Sequence, residues 1–319
     1  TDDQSKKNSP ASVSQEQTDD QPKKIPPASV SQGIQENIID ALNLYRADGT
    51  PYREDELLEP DEDLKLALDW SLPNGHEYRS GDTFTFQLPE QLAIYNELTG
   101  HLDNYGSYVV TTEGHATFTF NENIESRSNV KGTFWIDTAL SEIEIKTSTE
   151  VLEFIFNGET VDRLPIQIKP YNGQGIHKEG YPIDGNFNTE EIEWTVIINT
   201  TRDTLVDAVV TDNMPEGLIL LLGSIVIKEV EVDLQGNVIA EKGIASNYTD
   251  ASTEEKLTLE LGDTNEAYQL TFRTKMKETE KDKEGTTLYR NTAFLNSEGL
   301  GEKQSSASVS VKRPESLTK

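Results

Sequence analysis

The chain has 319 residues, more than one compact core usually takes, so two domains with tails are expected. Its 28 Lys and Arg stand against 57 Asp and Glu, a formal net charge of −29 that argues against nucleic acid and anionic membrane as partners and makes association salt-sensitive. Cysteine is absent, which excludes disulfides, thiol catalysis and Cys-ligated metals.

Residues 1–36 contain a direct repeat at an offset of 17: Thr1-Asp2-Asp3-Gln4 recurs from Thr18, and Pro10-Ala11-Ser12-Val13-Ser14-Gln15 recurs from Pro27. Ser, Gln, Pro, Lys and Asp leave almost nothing to bury, so a disordered leader is expected there. The acidic run from Glu54 to Asp63 lacks the glycine and spacing of a calcium loop and reads as a solvated loop. Short segments alternating apolar and polar residues follow at 64–70, 82–88, 107–111, 116–121, 132–137, 142–147, 151–156 and 164–169. Most are bounded by Gly, Asn, Asp or Pro, the pattern of an antiparallel β-sandwich, and this first domain is placed at 37–169.

Pro170-Tyr171-Asn172-Gly173-Gln174-Gly175 reads as the linker. A second strand-rich block occupies 176–313, with strands at 192–199, 207–212, 224–232, 256–261, 268–276, 287–295 and 305–312. Residues 314–319 are a C-terminal stub. The expected fold class is all-β, two β-sandwiches in tandem. No apolar run approaches the roughly 20 residues of a membrane-spanning helix. No signal peptide or wall-sorting motif is read, so the sequence is expected to be either mature and trimmed, with any anchor outside it, or cytosolic.

Chemistry-bearing motifs are sparse. His76, His101, His115 and His177 form no metal-binding spacing, so no metal or other cofactor is expected. There is no Gly-rich phosphate loop, no nucleophile elbow and no singled-out pair of carboxylates, so the chain is not expected to be an enzyme. Asn199-Thr200-Thr201 and Asn247-Tyr248-Thr249 match the glycosylation sequon, which matters only in a eukaryotic secretory pathway.

One set of residues asks for an explanation. Lys178, Asp212 and Asn291 fall on three separate apolar segments, where an unpartnered buried charge costs several kcal/mol. They suggest a covalent cross-link; an ordinary Lys178–Asp212 ion pair, with Asn291 a ladder or turn residue, is the alternative. Lys65 and Asp69 share one face of a strand and raise the same question in the first domain, without an identifiable third partner.

Several stretches carry a resemblance. In the first block they are Tyr78-Arg79-Ser80-Gly81-Asp82-Thr83-Phe84-Thr85-Phe86-Gln87-Leu88-Pro89 and Thr117-Phe118-Thr119-Phe120-Asn121-Glu122-Asn123-Ile124-Glu125 with Asn129-Val130-Lys131-Gly132. In the second they are His177-Lys178-Glu179-Gly180, Val209-Val210-Thr211-Asp212-Asn213-Met214-Pro215, Tyr268-Gln269-Leu270-Thr271-Phe272-Arg273-Thr274 and Tyr289-Arg290-Asn291-Thr292-Ala293. Their order over about 38–313 resembles the paired N1–N2 region of the wall-anchored collagen adhesins of Gram-positive bacteria, typified by the staphylococcal collagen adhesin and closest to bacillus and enterococcus members.

The resemblance implies two elaborated immunoglobulin-like sandwiches. It also implies an autocatalytic isopeptide bond in the second, with Lys178 the nucleophile, Asn291 the acceptor and Asp212 the assisting acid. It implies a monomeric bacterial surface adhesin that binds host extracellular matrix, with a collagen triple helix threaded under the linker as the first expectation. A fibrinogen-type adhesin clamping a linear peptide is the second, and a cross-linked stalk or pilin-like module the third. His177 stands where the family commonly has an aromatic, and only six residues follow Arg313, so the C-terminal latch by which the family closes the second domain onto the first is expected to be missing or to lie beyond them. Ligand-contact residues are not carried over.

Overall fold

A computed structural model describes residues 30–125 and 128–317. The first domain comprises β1 (Ile39–Arg46), β2 (Asp63–Ser71), β3 (Thr83–Gln87), β4 (Leu92–Ala93), β5 (Leu98–His101), β6 (Gly106–Val110), β7 (His115–Phe120), β8 (Lys131–Leu140), β9 (Thr149–Phe156) and β10 (Glu159–Gln167). They form a sheet ordered β1-β2-β8-β4 packed on a sheet ordered β10-β9-β3-β7-β6-β5. Alternation drives the packing: in β7 every second residue, Ala116, Phe118 and Phe120, points inward. The core is aromatic, with Trp70 5.3 Å from Phe120 and Phe86 edge-on to Phe118 at 5.5 Å.

The second domain comprises β11 (Ile176–Pro182), β12 (Glu191–Ile198), β13 (Leu205–Asn213), β14 (Leu218–Leu220), β15 (Val226–Val232), β16 (Val238–Ile244), β17 (Thr249–Asp250), β18 (Lys256–Thr264), β19 (Ala267–Met276), β20 (Gly285–Ser297) and β21 (Gly301–Arg313). One sheet runs β11-β12-β19-β15-β16 with β14 on β19; the other runs β17-β18-β13-β20-β21. The edge strands β11 and β21 lie side by side and parallel. Lys178 N donates to Ser305 Oγ at 3.0 Å, and two residues further on a Cβ at Gly180 would meet Val309 at 2.8 Å. Beyond β11, Asn188 N donates to Lys312 O at 2.7 Å and Lys312 N to Asn186 O at 2.9 Å.

Two expectations change. The segment 142–147 is a turn and not a strand, although it alternates. Ile145 N bonds back to Ser141 O at 3.0 Å and the Ser141 hydroxyl accepts from Glu144 N, so local bonds take the groups a ladder would use. Residues 32–36, inside the expected leader, pack on the first domain: Gln32 N donates to Asp82 Oδ1 at 2.9 Å, Gly33 bridges Thr83, and Ile34 is buried. The first repeat copy, residues 10–15, lies outside the described residues. The acidic run is the expected loop, with Glu54, Asp55, Glu59, Asp61 and Asp63 exposed and Glu62 and Glu56 taking the guanidinium of Arg46 at 2.7 and 3.3 Å.

The domains meet through the β15–β16 turn. Leu234 at its tip joins the core of the first domain. Thr147 and Asp233 form an antiparallel bridge, with Ser148 N donating to Val232 O at 2.9 Å. The linker lies along this turn and the second domain: Tyr171 N donates to Leu234 O at 2.8 Å and Thr200 N to Gln174 O at 3.0 Å.

Candidate functional site

Strand period places the three singled-out residues. In β11, Ile176 and Lys178 face inward while His177 and Glu179 face out. In β13, Ala208, Val210 and Asp212 face inward, and in β20 Tyr289, Asn291 and Ala293 do. Asp212 lies opposite Ala293, one inward position along β20 from Asn291, so those two side chains share a face of one sheet. Lys178 reaches them from the edge strand of the other sheet. Asn291 itself lies opposite Ala307, whose small side chain leaves the space open.

The cluster is dry. The Lys178 and Asp212 side chains have no exposed surface, and Asn291 is 1 % exposed. Lys178 Nζ donates to Asp212 Oδ2 and sits 4.9 Å from the Trp194 ring and 5.0 Å from the Phe272 ring. Burial pulls the Lys178 amine down to about 8, outweighing the charge and hydrogen bond of Asp212 that act to raise it. Burial likewise pushes the Asp212 carboxyl up to about 6, against the pull of Lys178 and, more weakly, of the Asn291 amide. Five buried side-chain polar atoms among the described residues lack a hydrogen-bond partner, and three are here: Asp212 Oδ1, Asn291 Oδ1 and Asn291 Nδ2. Native cores rarely tolerate that concentration without a chemical role.

Such an arrangement can do amide chemistry. Transfer of the shared proton from Lys178 to Asp212 produces a neutral amine beside a neutral acid, in a site where burial disfavours both charges. The amine lone pair is a nucleophile, and the acid a donor for the Asn291 carbonyl oxygen.

The other candidates separate from this cluster. Lys65 points to solvent with Asp137 3.9 Å away, and Asp69 accepts from Thr133 Oγ1 at 2.7 Å, so the first domain does not gather a buried Lys and Asp there. His177 is exposed and 3.2 Å from Glu179. Asn199 of the first sequon is buried with φ +59°, its amide donating to Asp203 O and Glu266 O, which makes it a turn residue of the fold. Sequence reasoning missed Gly180: a Cβ there would lie 2.5 Å from the Trp194 ring, so the glycine lets β11 come close enough to deliver Lys178. Its place two residues after Lys178 was the available signal.

Residues 173–306 match the family model for the collagen binding domain, and residues 58–150 that for a bacterial Ig domain. No curated protein matches the sequence. Among solved structures, the chain is similar to the Enterococcus faecalis MSCRAMM ACE at 17% identity, with 88% of this chain and 98% of that chain covered and a TM-score of 0.35. It is also similar to the Staphylococcus aureus collagen adhesin at 15% identity, with 89% and 96% covered and a TM-score of 0.31. A third is the collagen binding domain of an Erysipelothrix rhusiopathiae surface protein, at 16% identity, 90% and 100% coverage and a TM-score of 0.30. The chain therefore carries a bacterial Ig domain followed by a domain of the collagen binding family, and Lys178, Asp212 and Asn291 all lie within the latter.

Proposed function

We propose that this chain is the ligand-binding region of a bacterial cell-surface adhesin, and that it holds the collagen triple helix between its two domains as a monomer. The observation that carries the reading is the match of 173–306 to the collagen binding domain. A triple helix is a uniform rod with no knob to fill a pocket, so affinity comes from extended contact and slow release. Anchoring to the cell wall through a region outside this sequence belongs to the same proposal.

The cluster is assigned a structural task in that function. Lys178 Nζ attacks Asn291 Cγ, Asp212 donates to the carbonyl oxygen as the C–O double bond opens, and an amine proton passes to Nδ2. The carbonyl then re-forms, returning its proton to Asp212, as the Cγ–Nδ2 bond breaks and ammonia leaves, so one amide replaces another and atoms balance. The product is an isopeptide bond joining β11 to β20, and the reaction serves the fold without turning over a substrate.

The deciding experiment is binding of the chain to immobilised native collagen, with heat-denatured collagen and fibrinogen in parallel. Binding to the native triple helix alone is the expected result. Preference for fibrinogen would replace this reading with peptide clamping, and binding to none would leave a structural stalk.

A further inference from the structure

Trp70 is a core residue of the first domain whose ring nitrogen is left over. It is 1 % exposed, and its indole packs on Tyr105 edge-on at 5.8 Å, on Phe120 at 5.3 Å and on Phe118 at 6.3 Å. Nε1 is another of the buried polar atoms without a hydrogen-bond partner among the described residues, although a buried indole N–H normally finds one. On β8, Gly132 lies opposite Trp70. A Cβ there would meet Asp103 Oδ2 at 2.7 Å and the Trp70 ring at 3.0 Å (Cζ2) and 3.2 Å (Cε2), the latter being the carbon bonded to Nε1. The glycine thus leaves uncovered the indole edge that bears the orphan donor, with a carboxylate standing over it.

That edge belongs to a cavity of about 660 Å³, an ordinary volume for a small-ligand site. Asp40 from β1, Asp69 from β2 and Asp103 from the β5–β6 turn bring three carboxylates to its wall, against one ammonium, that of Lys131. Thr133 Oγ1 donates to Asp69 Oδ1 at 2.7 Å and orients that carboxylate. Trp135, 47 % exposed, gives the wall an aromatic face, braced by the Tyr45 ring at 5.5 Å. No group of three His, Asp or Glu side chains among the described residues could hold a metal ion, so these carboxylates are spread too widely for one.

We propose that this cavity is a saccharide-binding site, taking a neutral pyranose ring laid on Trp135. The balance of donors and acceptors selects that class. A pyranose has a C–H face that packs on an indole, hydroxyls that donate to the three carboxylates, and oxygens that accept from Trp70 Nε1. An ammonium or guanidinium would sit on Trp135 and pair with the carboxylates, yet it brings donors alone and leaves Nε1 unanswered. An anionic sugar would answer Nε1, but three negative side chains repel it. Asp103 is exposed, and such side chains re-orient within nanoseconds, which gives a ligand hydroxyl access to the nitrogen beneath. The site lies within the first domain and is independent of the collagen reading, so either can fail without the other.

Three tryptophans give three indole N–H signals in a nitrogen-15-labelled chain. Trp194, in the second domain, donates to Thr274 Oγ1 at 3.0 Å and serves as internal reference. Trp135→Ala and Trp194→Phe assign the signals, with circular dichroism verifying each fold. Methyl β-glucoside, methyl β-galactoside and N-acetylglucosamine are titrated separately. At least one should move the Trp70 and Trp135 signals together, with a Kd on the order of 1 mM, and leave Trp194 in place. N-acetylneuraminic acid and glycerol should move none. Trp135→Ala should abolish the sugar-dependent shift of Trp70, and Asp69→Asn should weaken binding roughly tenfold through a lost charge-assisted bond. Albumin coupled to the binding sugar, measured beside the free sugar, tells a glycan displayed on a protein from a soluble one.

Sugars that leave Trp70 unmoved overturn the proposal; if Asp103→Asn then moves that signal without ligand, the carboxylate is merely the cap of the indole. Tighter binding of Nα-acetyl-lysine amide than of any sugar also overturns it and gives the cavity to cationic side chains. Equal movement of all three signals would be an effect of solvent, and no site would remain.

Discussion

In water the Lys178 amine would be protonated and the Asp212 carboxyl ionised; between two sheets neither charge is welcome. Because the form ready to react holds one proton between the two groups, its population is greatest above about 6, where the doubly protonated pair has lost its first proton. It falls again above about 8, where the second proton leaves. Cross-linking followed by mass spectrometry after refolding should therefore trace a bell in pH with its plateau between those values. A rate that climbs steadily through pH 9 would show that amine deprotonation alone governs it. Mass of the denatured native chain should fall short of the sequence mass by about 17 Da, one ammonia, since one Lys attacks one Asn side-chain amide. Lys178→Ala, Asp212→Ala and Asn291→Ala should each show their full expected mass. A deficit of two ammonias would require a second cross-link, which the exposed Lys65 does not supply.

How much of this was legible depends on the scale of the chemistry. Lys178, Asp212 and Asn291 were visible in the sequence because polar residues interrupt apolar alternation, and strand period then puts them inside. Arg202, buried where the domains meet, was not visible. It sits in a turn, where period says nothing, and its partners Ser148 and Gln167 belong to another domain.

At the level of strands, alternation located those with one buried face, such as β12 and β19, within a residue or two of their ends. It failed at both extremes. All seven residues of β16 are exposed, so no pattern marks it, whereas 142–147 alternates yet is folded by its own local bonds. β11 shows what a strand needs in order to deliver a side chain. Gly180→Ala would drive a Cβ into the rigid Trp194 ring and Val309, overpacking that costs roughly 1–3 kcal/mol. We expect this variant to cross-link more slowly, read as residual full-mass protein soon after refolding, and complete cross-linking at the native rate would show that β11 yields freely.

Across the whole molecule, a Lys178–Asn291 bond closes a loop of about 110 residues, and by analogy with a disulfide of that span it should stabilise the second domain by roughly 4–5 kcal/mol. Calorimetry of Asn291→Ala should show the transition of that domain lowered by on the order of 10–20 °C, with the first domain little changed. A shift of a degree or two would mean that packing alone holds the strands. The surplus of negative charge makes collagen binding a salt-dependent event, fastest at low ionic strength wherever basic stretches of the rod approach.

The parallel course of β11 and β21 has a mechanical consequence. Tension entering at the linker and leaving past Arg313 draws these neighbours lengthwise in opposite directions, so their contacts must slip together and cannot unzip singly. With Lys178 joined to Asn291, the chain between them drops out of the load path. Only the stretch from Asn291 to Arg313 remains extensible, roughly 75 Å of contour at the reach of an extended backbone. A bacterium held by such a domain in flowing fluid would be on a short tether that yields little before it holds.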